Sequence, residues 1–192
     1  ARSIRRQNPV PVYSPLVPLL REGVRVLEVG CGTGWMSNSM SYHYNCDVTG
    51  IDFNPIAIDQ CDAVADTLEL DTQFRVQDLF TYQPQRPFDV VVSLGVLHHT
   101  GNCIEAIKRV CNHYVRPGGH VLIGLYHKPG REPFLQHFQD MQSAGATEQE
   151  LFERYKLIHG EVSEDETHAK SWFRDQVLHP HESQHTLAEV AP

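Results

Sequence analysis

Three glycines at alternate positions, Gly30, Gly32 and Gly34, form the pattern with the clearest chemical meaning in this sequence. They follow a run of apolar residues that contains one acid, Glu28. Glycine lets a chain turn tightly after a strand and lets a ligand approach the backbone, because no Cβ stands in the way. The phosphate-binding pattern Gly-x-Gly-x-x-Gly would place its third glycine at Trp35, so that match fails. The spacing predicts a ligand loop of another type, and a plain strand-to-helix turn is the simpler alternative.

Acidic residues follow the next two predicted strands. Asp52 ends the second strand and lies 18 positions after Gly34. A carboxylate there can accept hydrogen bonds from both hydroxyls of a ribose, as in nucleotide-binding folds, and Phe53 beside it can cover an adenine ring. Asp78 follows the third strand. Each aspartate could also be an ordinary turn or loop residue. The prediction of a ligand site therefore depends on the order of these residues along the chain, after successive strands.

The elements that must position these residues alternate between strands and helices. Asn54-Pro55 predicts a helix start, because Asn caps a helix and Pro suits its first turn. The predicted helices cover about 35–44, the stretch after Asn54, and 102–115, and the predicted strands cover 24–29, 47–52, 73–77, 88–94 and 120–126. Such alternation predicts right-handed crossovers and an α/β fold with a doubly wound, mostly parallel sheet.

The motifs together resemble those of the class I, Rossmann-like S-adenosylmethionine-dependent methyltransferases of the small-molecule type. The resemblance covers about residues 23–126 and includes the turn Arg116-Pro-Gly-Gly119 before the fifth strand. It implies the strand order 3-2-1-4-5, S-adenosyl-L-methionine as cofactor and S-adenosyl-L-homocysteine as product. It also implies that Glu28 faces the ammonium group of the ligand. The implied cofactor-binding residues are Glu28, Gly30, Cys31, Gly32, Gly34, Asp52, Phe53, Asp78, Leu79, Ser93 and Leu94.

The segment after the fourth strand resembles the family's loop beside the transferred methyl group. It contains His98 and His99, which are the catalytic candidates because imidazole can take a proton near neutral pH; packing that merely holds the loop is the alternative. The Asn/Asp-Pro-Pro-Tyr motif of enzymes that methylate DNA bases or glutamine is replaced here by Ser-Leu-Gly-Val, and no Pro-Cys dipeptide occurs. Both departures favour a small-molecule acceptor.

The last 66 residues are polar and rich in histidine. A segment here resembles one that lies after strand five in some bacterial small-molecule methyltransferases. It implies a lid whose substrate-binding candidates are Tyr126, His127, Arg174, Asp175, His179 and His181. A solvated acidic tail is the alternative, and the histidine spacing does not favour a metal site. The predicted domains are an N-terminal extension (1–22), a cofactor-binding domain (23–126) and this lid segment (127–192).

The family's sixth and seventh strands are not recognisable in the last segment. Thr186 and Glu189 have the spacing of a capping box, which opens a helix a few residues before the sequence stops. We therefore expect the chain to be cut from a longer protein, with a frayed natural end as the alternative.

Composition limits the remaining classes of function. The net charge of −8 disfavours nucleic-acid binding, and no apolar run approaches the roughly 20 residues of a membrane span. Five cysteines, none in a Cys-x-x-Cys pair, suggest reduced thiols in a cytoplasmic protein. The sequence leaves two alternatives to methyl transfer open: an aminopropyl or aminocarboxypropyl transferase on the same fold, and a non-catalytic module that binds a cofactor or a partner. The oligomeric state cannot be read from the sequence.

Overall fold

The structure, a computed structural model, describes residues 1–160 and 165–191. It divides into two compact units, one from Ala1 to Leu125 and one from Tyr126 onward. The first unit therefore includes the N-terminal residues that the sequence suggested as a separate extension. Val10, Leu16 and Leu20 pack into its core beside Met36 and Met40, which explains why this segment does not stand apart.

The first unit is built on a five-stranded parallel sheet. Its strands are β1 (Arg25–Val29), β2 (Asp47–Asp52), β3 (Gln73–Val76), β4 (Phe88–Leu94) and β5 (Val115–Gly124), in the order β3-β2-β1-β4-β5. Both β1 and β4 are buried along most of their length, as is usual for strands covered by helices on both faces. The predicted fold class and strand order are confirmed, and the sheet of the described residues has five strands.

Helices cover the sheet on both sides. They are α2 (Trp35–Tyr44), α3 (Pro55–Leu68) and α4 (Cys103–Arg109), and the short N-terminal α1 (Arg2–Arg6) packs against α2. Asn54 caps α3 by accepting a hydrogen bond from the amide of Ile56, as the sequence predicted. The helix predicted over 102–115 is α-helical only to Arg109, because residues 110–114 widen into a π-helical turn that buries Tyr114.

The fifth strand differs from its prediction at both ends. It was predicted to begin at His120 and extend to Tyr126, but it covers Val115–Gly124. Its register against β4 jumps from the pair Phe88 and Val115 to the pair Val90 and His120, so the Arg-Pro-Gly-Gly turn is a bulge inside the strand.

The second unit is helical. It contains α5 (Lys128–Ser143), α6 (Glu148–His159), α7 (Glu166–Val177) and the short α8 (Leu187–Val190). Its core is aromatic, with Phe138, Phe152, Tyr155 and Phe173 all buried. The capping box that opens α8 is present, whereas α7 was not predicted. Among the described residues, no helix combines the length and apolar character that crossing a bilayer requires.

Candidate functional site

The loop between β1 and α2 uses its own amides to hold its shape. The amides of Gly30 and Cys31 both donate to the carbonyl of Ile51, at 2.8 and 3.1 Å. The amide of Gly32 donates to Oδ2 of Asp52 at 2.9 Å, and that of Gly34 donates to the carbonyl of Cys31 at 2.8 Å. A phosphate-binding loop keeps such amides available for the anion. These four amides are engaged within the protein, in agreement with the failed dinucleotide spacing.

The three glycines of this loop have left-handed backbone conformations but different surroundings. A Cβ at Gly30 would lie 2.4 Å from a methyl group of Val96, and one at Gly34 would lie 2.7 Å from Sγ of Cys61. A Cβ at Gly32 would meet no atom within 4 Å. Gly30 and Gly34 are therefore required by packing, whereas open space adjoins the backbone at Gly32.

Glu28 is a buried carboxylate at the centre of the sheet. Its exposed fraction is 6%, and it accepts a hydrogen bond from the hydroxyl of Ser37 in α2. Burial raises the pKa of Glu28 to about 7, and the nearby charge of Asp52 contributes in the same direction. No lysine, arginine or histidine of the described residues forms an ion pair with it within 4 Å. Glu28 thus provides a site at which a bound cation would be stabilised.

Asp52 lies at the carboxyl end of β2 and links two backbone segments. Its Oδ2 accepts from the amide of Gly32 and its Oδ1 from the amide of Asn54, both at 2.9 Å. A carboxylate has about four acceptor positions, so two of them are still available for a ligand. Phe53 follows with 83% of its surface exposed, which leaves a large aromatic face beside the carboxylate.

Arg109 and Tyr114, which the sequence analysis did not identify, hold the loop after β3 in place through hydrogen bonds. Asp78 accepts from the amide of Phe80 at 2.7 Å and is exposed, while the side chain of Leu79 belongs to the core. Nε of Arg109 donates to the carbonyl of Leu79 at 2.9 Å, and the hydroxyl of Tyr114 donates to the same oxygen. The π-helical turn after α4 places Tyr114 there, and a sequence pattern of helical period does not reveal such a turn.

Ser93 and Cys31 are buried polar side chains with hydrogen-bond partners inside the protein. The hydroxyl of Ser93 is buried and donates to the carbonyl of Val29 at 3.1 Å, which ties β4 to β1. Cys31 is buried beside Cys61, and their hydrogen bond together with burial raises the pKa of the Cys31 thiol. Leu94 packs against the core that the N-terminal segment completes.

The two histidines after β4 have different environments. His98 is fully buried, with an exposed fraction of 0%, whereas His99 is half-buried. Their rings lie 4.2 Å apart. Both were predicted as catalytic candidates, and of the two His99 is the one with solvent-accessible surface.

The predicted substrate-binding residues of the second unit contact several different partners. The ring of Tyr126 stacks under the guanidinium of Arg131 at 4.1 Å. Gln176 donates to the hydroxyl of Tyr126 and, at 3.0 Å, to Asp175. Arg174 is exposed and pairs with Glu148 at 2.8 Å.

Of the remaining residues of that prediction, His127 lies at the start of the second unit, and His179 and His181 lie near its end. His127 bridges to His185, and Nδ1 of His179 accepts from the amide of His181 at 3.2 Å. No three potential metal ligands converge within the described part of the chain.

Comparison with known proteins identifies the family. A family model described as a methyltransferase domain matches residues 2–180, which is most of the chain. The chain belongs to this methyltransferase family. The family resemblance deduced from the glycine loop and the strand-end residues is thereby confirmed.

Curated relatives of this methyltransferase-domain chain share about a third of its residues over the matched part. The ubiquinone biosynthesis O-methyltransferase of Xylella fastidiosa is 32% identical over 126 residues, which is 63% of this chain and 49% of the relative. The enzyme of the same name from Maricaulis maris is 35% identical over 100 residues, 51% of this chain and 39% of the relative. The chain thus spans about half or less of the length of these relatives.

A solved structure supports the same family. The S-adenosylmethionine-dependent methyltransferase of Thiobacillus denitrificans, crystallised with S-adenosyl-L-homocysteine, has a TM-score of 0.54 and 25% identity to this methyltransferase-domain chain. The match covers 60% of this chain and 47% of that protein.

Proposed function

We propose that this chain binds S-adenosyl-L-methionine and transfers its methyl group to a hydroxyl oxygen of a small molecule. The observation that carries the proposal is the buried, uncompensated carboxylate of Glu28. Open space at Gly32 adjoins the same loop, and the carboxylate of Asp52 lies at the end of the next strand. This set of groups fits a ligand with a cationic end and a diol, and it does not fit a phosphate.

The residues can be assigned separate tasks in holding this ligand. Glu28 would stabilise the ammonium group, and Asp52 would accept from the ribose hydroxyls. Phe53 would cover one face of the adenine and Asp78 would accept from its amino group. When bound, S-adenosyl-L-methionine supplies a methyl group on a positively charged sulfur. The chain itself must align the acceptor, exclude water and receive a proton where the acceptor carries one.

His99 is the proposed proton acceptor at the oxygen of the methyl acceptor. It is half-buried at the carboxyl end of β4, where open α/β sheets bind their ligands. The names of the curated relatives support oxygen as the accepting atom. The Ser-Leu-Gly-Val sequence at the end of β4 supports a small molecule over a nucleic acid or a protein.

Activity is tested by incubating the chain with S-adenosyl-L-methionine and a panel of small phenols, alcohols, amines and thiols. We expect S-adenosyl-L-homocysteine to form with a hydroxyl compound, and the product to gain one CH2 unit in mass. The product mass separates this reaction from transfer of an aminopropyl group. Products with amines or thiols alone would contradict oxygen as the accepting atom.

Replacing His99 by glutamine is expected to slow product formation with a hydroxyl acceptor by about 10²-fold, the usual contribution of a general base. Affinity for S-adenosyl-L-homocysteine should not change. His113→Gln is the matched control, because His113 is exposed on the turn after α4. An unchanged rate in His99→Gln would exclude His99 as the proton acceptor.

Alanine at Gly32 and alanine at Gly34 are expected to have opposite consequences. Gly34→Ala should lower the free energy of unfolding by about 2–4 kcal/mol, because its Cβ meets Cys61 and its φ is +73°. Gly32→Ala should cost about 1–2 kcal/mol, from its φ of +51° alone. The side-chain methyl group that Gly32→Ala adds enters the open space beside the loop, so binding of S-adenosyl-L-homocysteine should weaken about tenfold or more. Denaturant unfolding and calorimetric titration give the two readouts, and equal loss of affinity in both folded variants would contradict the assignment.

Arg109 is expected to act as a positioning residue for the loop that carries Asp78. In addition to the bond from its Nε to the carbonyl of Leu79, its Nη2 donates to the carbonyl of Tyr82 at 3.1 Å. Arg109→Gln should weaken S-adenosyl-L-homocysteine about tenfold and leave S-ribosyl-L-homocysteine, which lacks adenine, unchanged. Arg21→Gln, an exposed arginine of the same unit, is the control. Equal weakening of both ligands would show general destabilisation instead.

A further inference from the structure

The second unit contains a cavity to which the proposed cofactor site contributes no residue. It has a volume of about 460 Å³ and lies between α5 and residues 176–184. Small-molecule sites typically enclose 300–1,000 Å³, so the cavity is large enough for a compact organic ligand. All of its lining residues belong to the second unit.

The lining combines planar polar side chains with a smaller apolar part. Leu135, Val177 and Leu178 belong to the apolar part, whereas Phe138 is only 1% exposed. Five glutamines line the cavity. The amides of Gln136, Gln176 and Gln184 have hydrogen-bond partners within the protein, and Gln139 and Gln142 are exposed. An amide side chain both donates and accepts hydrogen bonds, and so does a hydroxyl group, so a ring that carries several hydroxyls suits these two amides.

The charge of the lining disfavours an anionic ligand. Among the described residues that line the cavity there is no lysine or arginine, and the ionisable ones are Glu132, Glu182 and His179. The carboxylate of Glu182 is neutralised by Arg131, which holds it through Nε at 2.8 Å and Nη2 at 2.6 Å. Both side chains of this pair are buried. The wall that Glu182 forms is therefore close to neutral, which favours an uncharged ligand over a strongly cationic one.

Buried contacts also fix this wall in place. The guanidinium of Arg131 stacks on Tyr126, and its Nη2 donates to the carbonyl of Gln176 at 2.6 Å. Gln184 donates to Oε1 of Glu182 at 3.1 Å. A wall held by this many contacts needs little ordering when a ligand binds, and low ordering cost favours affinity.

We propose that this cavity is a binding site for a neutral, polyhydroxylated ring, such as a sugar or a cyclitol. The site is distinct from the proposed cofactor site, because its residues come from the second unit alone. Gln139 and Gln142, both on α5, are exposed and can be reached by such a ligand.

The test follows the side-chain amide signals of the full chain by nuclear magnetic resonance. The probes are methyl α-D-glucopyranoside, methyl α-L-rhamnopyranoside and myo-inositol, each at about 10 mM, a concentration that reveals millimolar affinity. Glucosamine and glucose 6-phosphate supply cationic and anionic counterparts of the same ring. We expect at least one neutral ring to shift the signals of Gln139 and Gln142. Glucose 6-phosphate should bind at least tenfold more weakly than its neutral counterpart.

Substitutions test whether the shifts of the amide signals arise from binding in this cavity. Gln139→Leu and Gln142→Leu should each weaken the neutral ring about fivefold or more, whereas Gln149→Leu, on the exposed surface of α6, should leave it unchanged. Asp52→Ala should also leave it unchanged, so the result is separate from the proposed cofactor site. The proposal is overturned if no neutral ring shifts these signals, if the phosphate binds as well, or if the leucine variants bind normally.

Discussion

Asp52→Ala is expected to weaken binding of S-adenosyl-L-homocysteine by about 100-fold or more. Hydrogen bonds to a charged group contribute about 1.5–3 kcal/mol each, and we assign two from the ribose hydroxyls to this carboxylate. The substitution also removes the acceptor of the Gly32 amide, so the glycine loop loses a contact at the same time. Calorimetric titration of the two chains measures the difference directly.

Asp52→Asn separates the ligand contacts from the loop contact. Its amide oxygen can still accept from Gly32, but its NH2 group cannot accept from a hydroxyl. The NH2 group also cannot accept from the amide of Asn54, so we expect the asparagine variant to lose about 1 kcal/mol of stability and most of the affinity. Asp59→Asn, an exposed position on α3, is the matched control. If Asp52→Asn bound S-adenosyl-L-homocysteine with normal affinity, the carboxylate would hold the loop and would not contact the ligand.

Glu28→Gln is expected to change how stability depends on pH. The pKa of Glu28 is raised from 4.5 to about 7 in the folded chain. Between these two values the folded state binds more protons than the unfolded state, so stability falls as the pH rises. The full loss above pH 7 is about 3 kcal/mol, since each unit of pKa corresponds to about 1.4 kcal/mol. Glutamine cannot ionise, so the variant should lack this decline between pH 5 and 8.

The same group links binding to proton release. A bound ammonium favours ionised Glu28, so the chain should release a proton when S-adenosyl-L-homocysteine binds near pH 6. Calorimetry in buffers of different ionisation enthalpy measures this release, which Glu28→Gln should abolish while weakening binding about tenfold or more. Glu22→Gln, at an exposed glutamate before β1, should behave as the unmodified chain. If stability and proton release depended on pH in the same way in Glu28→Gln and in the unmodified chain, the role of Glu28 as the titrating, ammonium-binding group would be contradicted.

The sheet and its cofactor loop were predictable because their signals are local. Buried parallel strands give continuous apolar runs, and Asn54-Pro55 marks the start of α3 in sequence alone. The bulge inside β5 was not predictable in this way. It depends on how Gly119 packs against the carbonyl of Asp89, where a Cβ would approach to 2.7 Å. That contact joins residues from two strands, so no local pattern records it.

Supporting residues escaped the sequence analysis for a similar reason. Ser37, Arg109 and Tyr114 act through hydrogen bonds to groups distant in sequence, and their residue types are common on helices. Burial also separates His98 from His99 although they are adjacent, because a short helical turn places one ring in the core. The residue type identified both histidines as catalytic candidates. Only tertiary packing shows which of the two is accessible to solvent.

The most direct test of the account is calorimetric titration of the unmodified chain with S-adenosyl-L-homocysteine, with NAD⁺ titrated in parallel. The account predicts one binding site of micromolar affinity for S-adenosyl-L-homocysteine and no binding of NAD⁺. The reason is that Glu28 accommodates an ammonium group and the loop amides are not available to a phosphate. A folded chain that binds neither ligand, or that prefers NAD⁺, would contradict the cofactor assignment and with it the proposed methyl transfer.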